Sequence, residues 1–227
     1  MKDHPFFLLL ILAVVSCTST EPIPDPVTFD EPLAAELKRM ADIDQLAAGN
    51  AFPPEGYEHL SQEDWRSFKD SIYQIHQKQL AELFDQYGYL GIDRVGEEGE
   101  KHFWLMVQHS DHVPAFQQKV LDALPAEVAD SNAQASHLAL LTDRVRINNG
   151  QKQLYGTQVQ FIPETGWTLP KPLADSATVN ERRLAIGMEP IEAYLNQMSE
   201  LHFMLNGPVF EELGMSEAPR LEVPDVQ

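Results

Sequence analysis

Apolar residues recur at intervals of three and four along most of the chain after residue 32, which is the spacing of one face of a helix. The first predicted helix carries Leu33, Leu37 and Met40 on one face and is expected to end near Gly49. Further helices are predicted at residues 61–87, from the end of a glycine-rich loop (88–99) to about 109, and at 114–128, 133–149, 179–186 and 190–205. The pattern therefore indicates a mainly α fold.

The period of the pattern changes between residues 153 and 173. The segments 153–162 and 166–173 read as extended chain, and the short stretch between them is typical of a turn. We therefore expect a small β-hairpin or two short strands near residues 153–170, within a single helical globular domain that covers residues 33–213. Residues 214–227 are predicted to be a loose tail.

Composition limits the class of partner. Apolar residues make up 43 % of the 227-residue chain and charged residues 22 %, which is typical of a globular protein with a real core. The formal net charge is -19, because 35 acidic residues oppose 16 basic ones. Such an acidic protein is repelled by a phosphate backbone, so we predict no nucleic-acid partner.

The beginning of the chain is typical of a secretory signal. Residues 1–17 place Lys2 before an apolar run that is too short to cross a bilayer as a helix. Val14, Val15 and Ser16 precede Cys17 and resemble the lipobox of bacterial lipoproteins, in which the cysteine is lipidated and becomes the mature N-terminus. Cys17 is the only cysteine of the chain, so the mature domain would hold no disulfide and no thiolate metal site.

Residues 18–32 contain four prolines and are expected to form an extended tether between the lipid and the domain. The sequence thus predicts a bacterial cell-envelope protein that is attached to a membrane through its lipid anchor. Thr18 follows the cysteine in place of Asp, which in the enterobacterial sorting rule indicates the outer membrane.

Polar side chains fall where the helical pattern demands burial. The five apolar residues 103–107 point in every direction around a helix, so this helix should be buried on all sides. Gln108 and His109 follow directly and lie between apolar neighbours on the helical wheel. An unpaired polar group costs a few kcal/mol when it is buried, so both residues are expected to have partners.

Arg144 lies within the apolar arc of the helix predicted at 133–149, where a guanidinium needs a carboxylate. Asp44 lies on the apolar face of the first predicted helix and equally needs a partner. We predict that Asp44 and Arg144 form a buried pair. Asp143 and Asp111 are the competing partners for Arg144.

Each of these residues also has a purely structural interpretation. Asp111 is placed to cap the helix that follows it, and His109 is placed to cap the helix that it ends. Tyr155 and Gln158 could be ordinary strand residues. His109, Asp111 and His112 form only a weak metal-ligand pattern, so no metal and no cofactor is predicted.

Three stretches resemble a family: WLMVQHSD (104–111), LTDRVRINNGQKQLYGTQ (141–158) and RRLAIGMEPIEAYL (182–195). They are similar, in order and spacing, to an uncharacterised bacterial family, a domain of unknown function with W-L-x-x-Q-H-x-D, D-R-V and Q-x-Y-G-T-Q motifs. The chain departs from the family pattern at Ala48, in place of Arg, and at Val113, often Asp. The resemblance implies no reaction. It implies that the family's polar positions are Asp44, Gln45, Gln108, His109, Asp111, Asp143, Arg144, Gln153, Tyr155, Gly156, Thr157, Gln158, Arg183 and Tyr194.

Two classes of function fit these residues. A binding or structural domain would use them as a buried polar network of Asp44, Gln108, His109, Arg144, Tyr155 and Gln158. An enzyme, for example a hydrolase, would use His109 as general base, oriented by Asp111 or Asp143, with Arg144 holding an anionic substrate group. We favour the first class, with a periplasmic small molecule or a protein as partner, because buried polar residues that satisfy one another need no substrate. The candidate residues are His109, Asp111 and Arg144 for catalysis, and Asp44, Gln45, Gln108, Asp143, Gln153, Tyr155, Thr157, Gln158 and Arg183 for binding.

Overall fold

A computed structural model describes residues 27–212 and 214–224. The chain is mainly helical, with one two-stranded antiparallel sheet, as the sequence predicts. In chain order the elements are α1 (Glu31–Gly49), α2 (Gln62–Tyr87), α3 (Ile92–Gln108), α4 (Pro114–Ala129), α5 (Ala135–Asn148), β1 (Val159–Ile162), β2 (Trp167–Pro170), α6 (Val179–Leu184), α7 (Ile191–Leu205) and α8 (Gly207–Glu212).

Side-chain caps fix the beginning of the first two helices. Asp30 caps α1, and its carboxylate accepts a hydrogen bond from the backbone N–H of Leu33 at 3.0 Å. Ser61 caps α2, and its hydroxyl accepts a hydrogen bond from the backbone N–H of Asp64 at 3.1 Å, as in a capping box. The two longest helices of the domain therefore begin within two residues of their predicted positions.

The third helix begins earlier than predicted. Residues 88–99 were expected to form a loop because of their four glycines, but α3 already starts at Ile92. The side chain of Asn132 accepts from the backbone N–H of Asp93 at 2.8 Å and so supplies a cap from a distant loop. Only Gly96 interrupts the helix, with a φ of 73° that favours glycine. A cap from the distant residue 132 cannot be found by local pattern.

The short sheet is the predicted hairpin. β1 and β2 pair in antiparallel register from Val159 opposite Pro170 to Ile162 opposite Trp167. The turn between them carries Gly166 at a φ of 70°. Residues 153–158 precede β1 as an irregular loop, which lies against α5.

The described residues form two hydrophobic cores. The larger one lies among α1 to α5, and α3 is at its centre with contacts to each of the other four helices. Phe103, Met106 and Val107 of α3 are at most 1 % exposed, as expected of a helix that is apolar on all sides. The smaller core joins Val179, Ile191 and Leu195 and lies beside the hairpin. The loop 153–158 thus connects the two cores.

The C-terminal part extends beyond α7. A short helix, α8, which the sequence analysis did not distinguish, follows α7 and buries Phe210. Residues 218–224 have no helix or strand, but the backbone N–H and carbonyl of Leu221 bond the side chain of Asn196 at 2.7 and 2.9 Å. Leu221 is therefore held against α7.

The predicted lipidation site Cys17, the signal peptide and residues 18–26 of the predicted tether lie outside the described residues. Within residues 27–212 and 214–224, no helix has the length and the apolar character that a membrane crossing requires.

Candidate functional site

A cavity of about 500 Å³ opens between α2, the turn after α3, and α5. α2 supplies three of its lining residues, the turn at 109–112 supplies three, and α5 supplies one. The lining residues are Asp70, Tyr73, Gln74, His109, Asp111, His112 and Arg144. We name it the His109 cavity.

His109 enters this cavity from the end of α3. It is the C-cap residue of the helix, and its ring nitrogen Nδ1 lies 2.5 Å from Oδ1 of Asp44 in α1. The Asp44 side chain is only 1 % exposed, whereas that of His109 is 21 % exposed. An ionised carboxylate only accepts hydrogen bonds, so Nδ1 carries the hydrogen and donates it. The partner that Asp44 requires is therefore a histidine.

The opposite edge of the His109 ring is available to the cavity. Because Nδ1 points to the buried carboxylate, Nε2 points away from it, and among the described residues Nε2 makes no hydrogen bond. The ring of Tyr73 lies beside it, with centroids 5.5 Å apart and planes tilted by 55°. The arrangement thus leaves the second imidazole nitrogen, Nε2, free of any bond to the described part of the protein on the partly exposed side of the ring.

The Asp44 carboxylate stays ionised despite its burial. Burial by itself would raise its pKa, but the hydrogen bond from His109, the approach of His76, the charge of His109 and a hydrogen bond from Gln45 together lower it below its usual value. The amide of Gln45 donates to Oδ1 at 3.0 Å. Asp44 therefore acts as a fixed negative charge behind His109.

Arg144 does not pair with Asp44, so the predicted buried pair is wrong. The guanidinium of Arg144 instead forms a bidentate salt bridge with Asp111. Nε donates to Oδ1 at 2.8 Å, and a terminal nitrogen donates to Oδ2 at 2.6 Å. Both residues line the cavity wall, where the Arg144 side chain is 25 % exposed. Helix periodicity placed Arg144 on the right side of α5 but could not say which of three nearby carboxylates it meets.

Asp111 does not cap the next helix, because Val113 is the N-cap residue of α4 and offers no side-chain cap. Asp111 also accepts from Asn148 at 2.8 Å and from Gln117 at 3.0 Å. Burial would raise the pKa of Asp111, but the hydrogen bond and the charge of Arg144 outweigh this and lower it. Asp111 is thus a fixed anion that joins the turn to α4 and α5.

Asp143, the other residue predicted to orient His109, faces a different region. Its carboxylate is 0 % exposed and accepts from the backbone N–H groups of Leu154, Tyr155 and Thr157 at 2.7 to 3.1 Å. The hydroxyl of Thr157 donates a further hydrogen bond at 3.0 Å. Asp143 therefore holds the loop 153–158 against α5 and takes no part in the cavity.

Gln153 and Gln158 close the same loop. The side-chain amide of Gln153 donates to the carbonyls of Gln158 and Lys171 at 2.9 and 2.7 Å, and its oxygen accepts from the backbone N–H of Gln158 at 2.8 Å. All polar atoms of the buried Gln153 side chain thus serve backbone groups.

Arg183 and Tyr194 hold the loop from the other core. Arg183, which is 1 % exposed, donates to the carbonyls of Glu189 and Tyr155 at 2.6 and 2.7 Å. The hydroxyl of Tyr194 donates to the carbonyl of Thr157 at 2.8 Å. Asp143, Gln153, Thr157, Arg183 and Tyr194, with the loop that they hold, are named the loop network.

The structure thus divides the predicted site residues into two groups. His109, Asp111 and Arg144 line the cavity, and Asp44 and Gln45 lie behind it. Gln108 is 7 % exposed, and its backbone carbonyl accepts from Gln117 at 3.0 Å. The other predicted residues, Asp143, Gln153, Tyr155, Thr157, Gln158 and Arg183, belong to the loop 153–158 or hold it, and none of them lines the cavity.

Sequence reasoning missed Tyr73, His76 and Gln117. The buried Gln117 fixes the turn at 109–112 by donating to Val107, Gln108 and Asp111. His76 is buried beside Asp44 and lies four residues before the buried Leu80, so its place on the buried face of α2 was a usable signal.

A second buried histidine lies outside the cavity. His137 and Tyr89 both bond Oε1 of the fully buried Glu100, at 2.9 and 2.5 Å. Glu100 lies three and four residues before Phe103 and Trp104, on the buried face of α3, although it stands in a run of charged residues.

In the described part of the chain, no group of three or more His, Cys, Asp or Glu side chains is placed to hold a metal ion.

Comparison with family models places residues 31–205 in a family of unknown function (DUF6624), and the chain therefore belongs to that family. The comparisons with curated proteins and with solved structures gave no match.

Proposed function

We propose that this protein is an acid–base enzyme of the hydrolase class, in which His109 is the general base and Asp44 orients it. The observation that carries the proposal is the 2.5 Å contact between Asp44 and Nδ1 of a histidine that lines a cavity. A buried carboxylate in this position fixes the tautomer of the ring and stabilises the imidazolium that forms when Nε2 takes a proton.

The orienting residue differs from the two that the sequence favoured. Asp111 is held by Arg144, and Asp143 is held by the backbone of the loop 153–158. Neither carboxylate has an oxygen within hydrogen-bond distance of His109, whereas Asp44 does. The proposal thus keeps the predicted base and assigns a new partner to it.

Water is the proposed nucleophile. The lining residues of the His109 cavity include no serine, threonine or cysteine. A water molecule bound at Nε2 would lose a proton to the ring as its oxygen attacks the substrate. The ring would then return the proton to the leaving group, which restores the neutral histidine.

The charge of the cavity favours a neutral or cationic substrate. Asp70 and Asp111 are both carboxylates of the wall, and Asp44 lies behind His109. Arg144 is the single Lys or Arg among the lining residues, and Asp111 already engages two of its nitrogens. An anion in this cavity would lie among unbalanced negative charges, so the predicted role of Arg144 in holding an anionic group is not part of the proposal.

Hydrolysis assays test the proposal. The purified domain is presented with chromogenic carboxylic esters, amino-acid anilides and glycosides, and the rate is compared with that of His109→Gln and Asp44→Asn. Loss of a general base lowers a rate by about 10²- to 10⁴-fold, so we expect a loss of that order in both variants. His59→Gln is the matched control, because His59 is exposed and lies outside the cavity.

Two results would count against the proposal. Equal rates for wild type and His109→Gln on every hydrolysed substrate would remove His109 from the chemistry. No hydrolysis of any class, together with a substrate-like molecule that stabilises wild type but not His109→Gln, would instead make the cavity a binding site.

The proposed cellular setting is the bacterial cell envelope, with Cys17 as the lipidated residue and residues 18–29 as the tether, since Asp30 already caps α1. The lipobox-like sequence before Cys17 supports it. Cys17→Ser should prevent cleavage by the lipoprotein signal peptidase and lose lipid attachment, as measured by radiolabelled palmitate incorporation. Processing of the wild type that is insensitive to globomycin would be the contrary result.

A further inference from the structure

His76 approaches the carboxylate oxygen of Asp44 that His109 does not bond. It belongs to α2, its side chain is 7 % exposed, and its Nδ1 is 3.9 Å from Oδ2 of Asp44. His109 and Gln45 both bond the other oxygen, Oδ1. The two oxygens of one buried carboxylate are therefore approached by different histidines from different helices.

The two facing atoms lack any other partner. Among the residues that the structure describes, Oδ2 of Asp44 and Nδ1 of His76 are both buried side-chain atoms with no hydrogen bond. Each such atom costs free energy as long as it stays unpaired in the interior. One is an acceptor and the other can be a donor, and a ring movement of about 1 Å brings them to hydrogen-bond distance.

We propose that His76 is a positioning residue of the active site, which donates from Nδ1 to Oδ2 of Asp44 and completes a line His76–Asp44–His109. The inference rests on the proposed function, because it assigns His76 a role only through the base His109. His76 itself does not line the cavity and does not reach a substrate.

The contact would act on the orientation and the charge of Asp44. With Oδ1 held by His109 and Gln45 and Oδ2 held by His76, the carboxylate cannot rotate away from His109. A donor at Oδ2 also favours the ionised form, and the approach of His76 is one of the causes that lower the pKa of Asp44.

The same contact joins the dyad to the cavity wall. Tyr73 lies three residues before His76, so the two side chains are neighbours on one face of α2. Tyr73 lines the cavity next to His109, while His76 points to the carboxylate behind it. A movement of α2 that reshapes the cavity would therefore also displace His76, which holds the carboxylate that orients the base.

Nuclear magnetic resonance of the wild-type domain at neutral pH tests the contact directly. With ¹⁵N-labelled histidine, long-range correlation spectra show which ring nitrogen carries hydrogen. We expect a hydrogen on Nδ1 of His76. A ring whose Nδ1 is unprotonated cannot donate to Asp44, and that observation would overturn the inference.

Two variants test the role. His76→Asn keeps an N–H donor close to the position of Nδ1, and His76→Leu fills the space without a donor. In His76→Leu we expect the ¹⁵N and ¹H shifts of the His109 Nδ1–H group to move and kcat to fall at least about tenfold with little change in KM, while His76→Asn stays near wild type. If Asn and Leu behave alike on the His109 resonances, His76 only fills space and the inference is wrong.

The two proposals can fail separately. If hydrolysis depends on His109 but Nδ1 of His76 carries no hydrogen, only the role of His76 is lost. If no substrate is hydrolysed, the spectra still decide whether His76, Asp44 and His109 form a line, and the arrangement then belongs to a binding site.

Discussion

Asp44 and Asp143 are both fully buried carboxylates on helices of the same core, yet they serve opposite purposes. The oxygens of Asp143 accept from three backbone N–H groups and one hydroxyl, so that both are satisfied by the loop 153–158. Asp44 is approached by side chains, one of which, His109, extends to a cavity. A buried carboxylate that accepts from backbone N–H groups stabilises the fold. One that bonds the imidazole of a cavity-lining histidine can orient a general base.

The two arginines repeat this contrast. Arg183 is 1 % exposed and donates hydrogen bonds to backbone carbonyls, so the conformation of the loop depends on this side chain. Arg144 is 25 % exposed and contacts another side chain, Asp111, at the cavity wall. The loop network should therefore respond to substitution in stability, and the His109 cavity in activity.

The largest expected effect is that of Asp143→Asn. Both carboxylate oxygens of Asp143 accept hydrogen bonds from the loop 153–158. In the asparagine variant one of these oxygens becomes an NH₂ group, which faces the same donors and cannot accept from them. We therefore expect a loss of about 3 to 5 kcal/mol in the free energy of unfolding. Urea denaturation followed by circular dichroism measures it, with the exposed Asp175→Asn as control. A loss below about 1 kcal/mol would mean that the loop is held by other contacts.

Arg183→Met comes next. The methionine retains the apolar stem but leaves the carbonyls of Tyr155 and Glu189 without their donor. We expect a loss of about 2 to 3 kcal/mol in the free energy of unfolding, also measured by urea denaturation. Arg220 is exposed, so Arg220→Met serves as the control and should change stability little. Equal losses in Arg183→Met and Arg220→Met would show that Arg183 does not hold the loop.

Most of the fold was predictable because it follows local rules. Helix periodicity, the cap at Ser61 and the turn before β2 each depend on residues that are close in sequence. The start of α3 was missed because its cap, Asn132, lies 39 residues from Asp93. Non-local capping leaves no periodic signal in the helix that it begins.

The candidate site was predictable as a set of residues but not as a set of pairs. The helical wheel marked Asp44 as buried and His109 as partly buried, as the structure has them, but it placed Arg144 in apolar surroundings although its side chain is 25 % exposed at the cavity. It assigned the wrong partner to Arg144, because a wheel gives the direction of a side chain but neither its height along the helix nor the crossing of the helices. The family resemblance grouped the loop residues with the cavity residues, although the two sets meet only on α5, at the adjacent residues 143 and 144.

Arg144→Met should affect stability less than Arg183→Met. Its pair with Asp111 is partly exposed to solvent, and such pairs contribute about 1 kcal/mol or less. Asn148 and Gln117 would continue to bond Asp111 after the change. We therefore expect a loss of at most about 1 kcal/mol by urea denaturation, and a larger loss would place Arg144 among the residues that hold the fold.

The smallest effect is the pH dependence of Asp111→Asn. The pKa of Asp111 is lowered in the folded protein, so its contribution to stability is fully present above its ordinary value of 3.8 and is lost as the pH falls through the lower folded value. The pKa of Asp44 is lowered as well, which gives the wild type the same sign of acid sensitivity. We expect stability to decrease on acidification from about pH 5 in both proteins, but less steeply in Asp111→Asn.

Urea midpoints at intervals between pH 7 and pH 3 measure this difference. Because Asp111 is 45 % exposed, the two curves should differ by well under about 1 kcal/mol, and they should converge at the acid end, where Asp111 is protonated in the wild type. Added salt should reduce the difference further, since it screens the exposed ion pair with Arg144 more than the buried contact of Asp44 with His109. Parallel curves at all pH values would show that Asp111 carries no proton-linked stability, and the acid sensitivity of the cavity would then rest on Asp44.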